Sequence, residues 1–311
     1  AGAGGGDGRQ ERTAGGRGHL RMLRLASRRR WREDPARMTE REYVLGTGDD
    51  ELARLGLQNR LWSDTVVGTW RRARIAPGER ALDVGCGPGF AAFDLAHLVT
   101  PAGAVVGVDE SEAFVGHANE QARRRGLPQV RARVGDVQRL EEVLAGEAPF
   151  DFAYARWVLC FVSDPEAVVR GVAAALRPGG RLVVHDYFNY GSMTTAPRCE
   201  SHDRAVAATM RSWRARGGDP DVGQRLPALL RAHGLRLDDV RVHARVARGV
   251  DSMFAWPDTW WRTYAPKLVA MGELERIDCE RLLQDLDDIR RGDGFVQCPP
   301  VYEFVATREA P

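Results

Sequence analysis

Short apolar runs alternate with stretches of helical period through the middle of the chain. A run of about five apolar residues bounded by turn residues is typical of a strand buried on both faces, and apolar positions every three or four residues are typical of one face of a helix. The runs lie at residues 81–84, 104–108, 130–134, 150–154 and 182–184. Their alternation with helices predicts an α/β fold, with a doubly wound, mostly parallel sheet and helices on both faces.

The same periodicity predicts further elements on either side of this core. Residues 49–74 carry leucines and tryptophans at helical spacing, so we expect one or two helices ahead of the core. After Asp186 an irregular, aromatic and charged insert begins. Two Asp-Pro pairs, Asp164-Pro165 and Asp219-Pro220, have the pattern of a capped helix start. Later helices are predicted near residues 202–214, 220–233, 258–271 and 273–290, and strands at 236–246 and 301–307, which together predict a helical cap inserted around the late strands.

These patterns divide the chain into four predicted parts. Residues 1–18 contain eight glycines and no apolar periodicity, which is typical of disorder. Met38 precedes Thr39-x-x-Glu42, the spacing of a capping box, so organised structure is expected to begin there. The parts are a Gly/Arg-rich leader (1–38), an N-terminal helical segment (39–76), a core (77–187) and an insert or cap with the last helices and strands (188–311).

Composition and charge narrow the classes of function. The formal charge of the 311 residues is +2, but residues 1–38 hold ten arginines against four acidic residues, so the remainder is slightly acidic. Because a domain that binds nucleic acid usually presents a basic patch, nucleic acid is disfavoured as a partner. No apolar run approaches the roughly 18 residues of a membrane span, so we expect a cytoplasmic protein. The five cysteines include no Cys-x-x-Cys pair, and we expect reduced thiols and no metal site.

Three glycines follow the first apolar run at a spacing that suits a ligand-binding turn. Gly85, Gly87 and Gly89 allow a sharp turn from strand to helix and a close approach of a ligand. In a dinucleotide-binding loop the third glycine comes three positions after the second, whereas here it comes two positions after. Asp83 stands just ahead of the loop, and a carboxylate there suits a ligand with an ammonium group better than a pyrophosphate.

Two further acids follow later apolar runs. Asp109 ends the second run and Asp136 comes just after the third. Each acid alone could simply cap a turn or a helix. At the carboxyl ends of successive parallel strands, however, Asp83, Asp109 and Asp136 would line the crevice where open α/β sheets bind ligands.

From about residue 79 to residue 185 the sequence resembles the class I S-adenosylmethionine-dependent methyltransferases. The resemblance rests on the glycine loop and on four later segments in the family's order, at residues 105–109, 135–137, 150–158 and 176–184. It implies a seven-stranded Rossmann-like sheet and S-adenosyl-L-methionine as the cofactor, with Asp109 on the ribose hydroxyls and Asp136 near the adenine amino group. The cofactor-binding residues that it implies are Asp83, Gly85, Cys86, Gly87, Gly89, Phe90, Asp109, Glu110, Asp136, Val137, Arg156 and Trp157.

Methyl transfer from a sulfonium is an in-line displacement, so alignment and water exclusion can supply much of the rate. A hydroxyl or protonated amine as acceptor would also use a base. His185 and Asp186, at the end of the fifth strand, and Tyr43 are the catalytic candidates, although a packed structural role is equally open for His185. Residues 58–62, together with Tyr43, are expected to close over the methionine end of the cofactor.

The loop after the fourth strand resembles neither that of the DNA amino-methyltransferases nor that of the protein arginine methyltransferases. The closest resemblance is to methyltransferases of quinone, lipid and secondary-metabolite pathways, which implies a small-molecule acceptor. Trp256, Trp260 and Tyr264, which share one face of a predicted helix, and Tyr187 are the candidate substrate-binding residues. Packing of the cap onto the core is an alternative role for this stripe.

Three other functions remain open from the sequence. An RNA methyltransferase could use the basic leader to bind phosphates. A noncatalytic cofactor-binding protein would carry the same cofactor residues without turnover, and a nicotinamide dehydrogenase is the third alternative. The sequence leaves the oligomeric state open.

Overall fold

The computed structural model describes residues 1–2 and 46–310. The chain divides into two compact units, Ala1–Arg41 and Glu42–Pro311, and the elements below all belong to the second. The predictions of a disordered leader and of a capping box at residues 39–42 concern residues that, apart from 1–2, lie outside the described part of the chain.

The described part contains nine α-helices and ten strands, whose bounds follow. The strands are β1 (Arg80–Val84), β2 (Ala104–Asp109), β3 (Val130–Val134), β4 (Phe150–Arg156), β5 (Leu176–Tyr187), β6 (Thr194–Ala196), β7 (Leu235–His243), β8 (Val246–Arg248), β9 (Phe295–Gln297) and β10 (Val301–Arg308). The helices are α1 (Asp49–Arg72), α2 (Phe90–Val99), α3 (Glu112–Arg124), α4 (Leu140–Val143), α5 (Pro165–Ala175), α6 (Glu200–Arg214), α7 (Leu226–Ala232), α8 (Ala255–Ala270) and α9 (Arg276–Arg291).

Seven strands form the main sheet, in the order β3-β2-β1-β4-β5-β10-β7. The pairs from β3 to β5 are parallel, and β10 runs antiparallel to both of its neighbours. The order of β1, β2 and β4 creates a switch point, because the chain leaves β1 towards β2 on one side and β4 lies on the other side. The predicted α/β fold with a mostly parallel seven-stranded sheet is confirmed.

Helix α1 packs against the sheet through one apolar stripe. Trp62, Val66 and Trp70 recur every four residues on this 24-residue helix and are all buried. The helix also contacts α2 and α8, so it lies between the core and the later helices. It is a single helix, within the prediction of one or two.

The two Asp-Pro pairs behave differently. Asp164 caps α5 as predicted, because its side chain accepts the backbone N–H of Ala167 (3.0 Å) and Pro165 occupies the first turn. The prediction that a helix begins at Pro220 is wrong. Asp219 instead accepts the backbone N–H of Asp221 (3.0 Å) in a turn, and α7 begins only at Leu226, after a short 3₁₀ segment.

A cap follows β5. Helices α6, α8 and α9 pack on one another, and β6, β9 and β8 form a separate three-stranded antiparallel sheet. This small sheet is not predicted from the sequence, because three-residue strands are too short to show a period. Among residues 46–310, no helix combines the length and apolarity that crossing a membrane requires.

Candidate active site

The glycine loop lies between β1 and α2, at the carboxyl end of the sheet. Gly85, Gly87 and Gly89 all have positive φ (65°, 52° and 87°), a region that favours glycine. A Cβ on Gly85 would overlap Val158, and one on Gly89 would lie 2.9 Å from Ala118. A Cβ on Gly87 would meet no described atom within 4 Å. Packing within the protein therefore explains two of the glycines, whereas Gly87 borders open space that a ligand can enter.

The acids after β2 and β3 hold the backbone around this space. The Asp109 carboxylate accepts the N–H groups of Gly87 (2.8 Å) and Ser111 (3.0 Å), and burial raises its pKa. Asp136 accepts the backbone N–H of Gln138 (2.8 Å) at the start of a 3₁₀ turn. Both acids thus hold turns, as the alternative interpretation proposed, and a carboxylate has further lone pairs for a ligand.

The other predicted cofactor residues follow strands β1, β2 and β3. Phe90 begins α2 and approaches α1, where a Cβ on Gly56 would lie 3.2 Å from its ring. Cys86 is buried, and burial raises the pKa of its thiol. Glu110 is exposed after β2, and Val137 is buried in the turn after Asp136.

Asp83 and Arg156 form a pair of opposite charges with unsatisfied atoms. They lie at the carboxyl ends of the adjacent strands β1 and β4. Within the described residues, Oδ2 of Asp83 and Nη1 of Arg156 are buried without a hydrogen-bond partner. Burial raises the pKa of Asp83 to about 7, although the charge of Arg156 acts in the opposite direction. Because buried charges normally have partners, this pair is suited to a zwitterion such as an amino-acid group.

Helix α1 contributes the polar groups that face this pair. The side-chain oxygen of Asn59 accepts a hydrogen bond from Nη2 of Arg156 (2.7 Å), and its amide donates to Asp94 (3.1 Å). Gln58 accepts from Arg54 (3.0 Å) and from the indole of Trp256 (3.3 Å). Asn59 therefore lies beside Arg156 and α2. The closing of residues 58–62 over the methionine end of the cofactor stays a prediction, and Tyr43 lies outside the described residues.

Four aromatic side chains, the aromatic cluster of Trp62, Trp157, Tyr187 and Trp256, lie beyond Arg156. Trp62 makes edge contacts with Trp157 (5.5 Å between ring centroids) and Trp256 (5.0 Å), and Trp157 stacks on Tyr187 (6.3 Å). Trp157 has φ 52°, which is rare outside glycine and characteristic of functional sites. The cluster brings together candidate cofactor-binding and substrate-binding residues from the loop after β4, from β5 and from the cap.

The stripe predicted on α8 divides between two environments. Trp256 joins the aromatic cluster, whereas Trp260 and Tyr264 pack towards α6. The Tyr264 hydroxyl lies 2.8 Å from that of Ser212, and the Trp260 ring contacts Tyr264 (4.7 Å) and Trp213 (6.1 Å). For Trp260 and Tyr264, this geometry favours the alternative role of packing the cap.

His185 is buried, and both of its ring nitrogens are engaged. Nδ1 lies 3.1 Å from the hydroxyl of Tyr154, and Nε2 lies 3.2 Å from that of Thr69. Burial lowers the pKa of His185 to about 4, so the ring is neutral near pH 7. This geometry favours the structural role for His185 over that of a base.

Asp186 is likewise engaged. It accepts the backbone N–H groups of Tyr187 (2.8 Å) and Cys160 (3.3 Å), and burial raises its pKa to about 6. Asp186 thereby anchors the loop after β4, which carries Trp157.

Glu303 on β10 links His185 to α1. Its carboxylate accepts hydrogen bonds from Thr69 (2.6 Å) and Arg72 (2.7 Å), and Nε2 of His243 lies 2.8 Å away. The ligand atoms of His185, His243 and Glu303 lie within 4.8 Å of one another, which is close enough to share a metal ion. However, Arg72 already neutralises the carboxylate, so a divalent ion would add uncompensated charge to a buried site. The prediction of no metal stays a prediction.

Sequence reasoning missed several residues of this site. Arg54 and Arg245 are not singled out by the sequence, and the pairing of Asn59 with Arg156 is not predicted either. Asn59 lies 97 positions from Arg156. Polarity at these positions was visible in the sequence, but nothing there indicated which side chains would be buried.

Residues 75–222 match a family described as a methyltransferase domain. These residues, just under half of the chain, are therefore similar to a methyltransferase domain. The resemblance inferred from the sequence is thereby confirmed. The matched region includes Asp83, Arg156 and the glycine loop, but neither α1 nor the later helices of the cap.

Two curated relatives likewise match only part of the chain. The 2-phytyl-1,4-naphtoquinone methyltransferase of Synechococcus elongatus is 35% identical over 130 residues, which cover 41% of this chain and 53% of the relative. The nocamycin O-methyltransferase of Saccharothrix syringae is 38% identical over 106 residues, which cover 34% of this chain and 37% of the relative. The chain thus spans about half or less of these relatives.

Solved structures resemble a larger share of the chain. A putative methyltransferase from Bacillus halodurans has a TM-score of 0.54 and 16% sequence identity, covering 78% of this chain and 98% of that one. At this identity, the likeness concerns the fold alone.

Proposed function

We propose that this chain is an S-adenosylmethionine-dependent methyltransferase that transfers a methyl group to an O, N or C atom of an apolar or aromatic small molecule by in-line displacement. The observation that carries the proposal is the pair of unsatisfied atoms, Oδ2 of Asp83 and Nη1 of Arg156, beside the open space at Gly87. A dinucleotide offers no amino-acid group to this pair, whereas S-adenosylmethionine does.

The residues of the domain fit that cofactor in four places. Asp83 would accept hydrogen bonds from the ammonium group, and Arg156 would donate to the carboxylate. Asp109 would bind the ribose hydroxyls and Asp136 the adenine amino group. The bound cofactor supplies an electrophilic methyl group on a sulfonium, and the other steps depend on the protein.

Alignment and water exclusion are the contributions that the geometry supports best. The aromatic cluster and α1 enclose the end of β4, where a planar acceptor could be held beside the methyl group. A neutral, fully engaged His185 is a poor base, and Asp186 is occupied by backbone N–H groups. Tyr43 remains a candidate base from the sequence alone.

The acceptor class is supported by the relatives and the aromatic cluster together. The relatives' names specify a naphthoquinone and nocamycin, both small molecules. Aromatic side chains are the usual lining for apolar and aromatic ligands. We therefore place this chain among small-molecule methyltransferases, with Trp157, Tyr187 and Trp256 near the acceptor.

Calorimetry and label transfer test the proposal together. The protein should bind S-adenosylmethionine and not NAD, and Arg156→Gln should weaken cofactor binding at least about tenfold. Incubation with methyl-labelled cofactor and a fractionated metabolite extract should then label a small molecule. Tighter binding of NAD, or cofactor binding without any labelled product, would contradict the proposed activity, and RNA binding at low salt would favour the RNA alternative.

A further inference from the structure

A second guanidinium, besides that of Arg156, packs on the aromatic cluster. The Arg156 guanidinium lies 5.2 Å from the ring centroid of Trp157, and that of Arg245 lies 5.2 Å from the ring centroid of Trp62. Neither arginine has a carboxylate within ion-pair distance among the residues that the structure describes. The two indoles, Trp62 and Trp157, thus each lie against a guanidinium, and only that of Arg245 is not already assigned to Asp83 and the cofactor.

Arg245 is held in place, but its hydrogen-bonding capacity is not used up. One Nη donates to the hydroxyl of Thr65 on α1, and its backbone oxygen accepts the N–H of Cys298 (2.9 Å). Its Nε is buried and has no partner in the described part of the chain. A desolvated, unpaired guanidinium N–H is costly, so Arg245 is suited to an acceptor that the protein itself does not provide.

The atoms without partners around the aromatic cluster are mainly donors. Besides Nε of Arg245, the indole N–H groups of Trp62 and Trp157 are buried without partners among residues 46–310. The one unsatisfied acceptor nearby, Oδ2 of Asp83, is assigned to the cofactor ammonium. A wholly apolar acceptor would leave these donors desolvated and unsatisfied, whereas an oxyanion would pair with them.

We propose that the methyl acceptor carries a carboxylate and that Arg245 is the residue that selects for it. This inference rests on the proposed methyltransferase function and specifies its substrate class. A single guanidinium matches the single charge of a carboxylate, whereas a phosphate, with nearly two charges, would call for further cations. Arg245 lies between β7 and β8, outside residues 75–222, so the family match does not determine it.

Structural support is the competing role for Arg245, since the contact with Trp62 and the hydrogen bond to Thr65 also join the β7–β8 connection to α1. The two roles differ in their consequences. A purely structural arginine would affect stability and cofactor binding together, whereas a selective one would affect only the apparent affinity for the acceptor.

An ion-exchange fractionation with methyl-labelled cofactor separates these possibilities. A metabolite extract of the source organism is divided on an anion exchanger at pH 7, and each fraction is incubated with the full chain. We expect label in the anionic fraction, loss of that label after the carboxyl groups of the fraction are esterified, and no loss after phosphatase treatment. Label only in the unretained fraction, or its loss on phosphatase treatment, would overturn the inference and leave the methyltransferase activity intact. No label in any fraction would refute the methyltransferase proposal itself.

Variants at two neighbouring arginines complete the test. Arg245→Gln should raise the KM for the labelled fraction by about tenfold or more, while the cofactor affinity measured by calorimetry stays unchanged. Arg248→Gln is the matched control, because Arg248 is exposed and pairs with Asp251 (3.0 Å), and it should behave as wild type. If Arg245→Gln left the acceptor KM unchanged, Arg245 would be assigned to structural support alone. The same would follow if the cofactor affinity weakened by the same factor as the acceptor KM rose.

Discussion

Replacing Asp83 with asparagine should stabilise the cofactor-free protein, and the gain should grow with pH. Burial raises the pKa of Asp83 from 3.8 to about 7, so at pH 5 the folded state holds a proton that the unfolded state has largely released. Such a carboxyl destabilises the fold progressively as the pH rises from about 4 to about 7, and the full penalty remains above pH 7. The shift of about three pKa units corresponds to about 4 kcal/mol in the free energy of unfolding.

Asparagine has nearly the same shape without the charge, but its amide would still be buried with an unsatisfied oxygen. We therefore expect about 1–3 kcal/mol of the penalty to be recovered. Urea unfolding of the cofactor-free protein at pH 5 and at pH 8 measures this gain in the free energy of unfolding. The gain from Asp83→Asn should be small at pH 5 and present in full at pH 8, while S-adenosylmethionine binds more weakly because the ammonium loses its charged partner.

The matched control is Asp64→Asn, since Asp64 is exposed on α1. This variant should leave both the unfolding free energies and the cofactor affinity near wild type. If Asp83→Asn gave the same change in unfolding free energy at pH 5 and at pH 8, the raised pKa of the buried Asp83 carboxyl would be refuted.

Three further substitutions test the site and its supports. Asn59→Leu removes the side-chain oxygen that accepts a hydrogen bond from Arg156. The cofactor affinity measured by calorimetry should fall about tenfold, while the circular dichroism spectrum stays unchanged. An unaltered affinity would mean that Arg156 needs no such partner. Glu303→Gln removes a buried charge that pairs with the exposed Arg72, so urea unfolding should show a loss of about 1.5 kcal/mol, and an unchanged free energy of unfolding would count against this pairing. His202→Phe replaces a buried ring whose two nitrogens lack hydrogen-bond partners in the described chain. Thermal and urea unfolding should show a gain of about 1 kcal/mol or more in the free energy of unfolding. A clear loss of stability would show that the ring does have a partner.

The parallel core was the most predictable part of the molecule. Strands β1, β2 and β4 are largely buried on both faces, and so each stands out as an apolar run bounded by turns. The edge strand β3 alternates buried and exposed positions instead. The glycine loop was equally clear, because positive φ at Gly85 and Gly89 and their tight packing leave few alternatives to glycine.

The pairing of distant polar residues could not be predicted. The hydrogen bond between Asn59 and Arg156, like the network around Glu303, joins segments whose proximity depends on the completed sheet. His185 shows the same limit, because only its buried contacts with Tyr154 and Thr69 separate a structural histidine from a base.

Helix α1 has a consequence for how acceptor specificity could be exchanged between related enzymes. Thr65 and Arg245 are in contact although 180 positions separate them in the sequence, and the matched residues 75–222 lie between the two. A chimera that inherits only residues 75–222 from a relative would keep both sides of this contact from the present chain. We therefore expect it to retain the present acceptor preference. To change that preference, a chimera would have to take both α1 and the β7–β8 connection from the same relative.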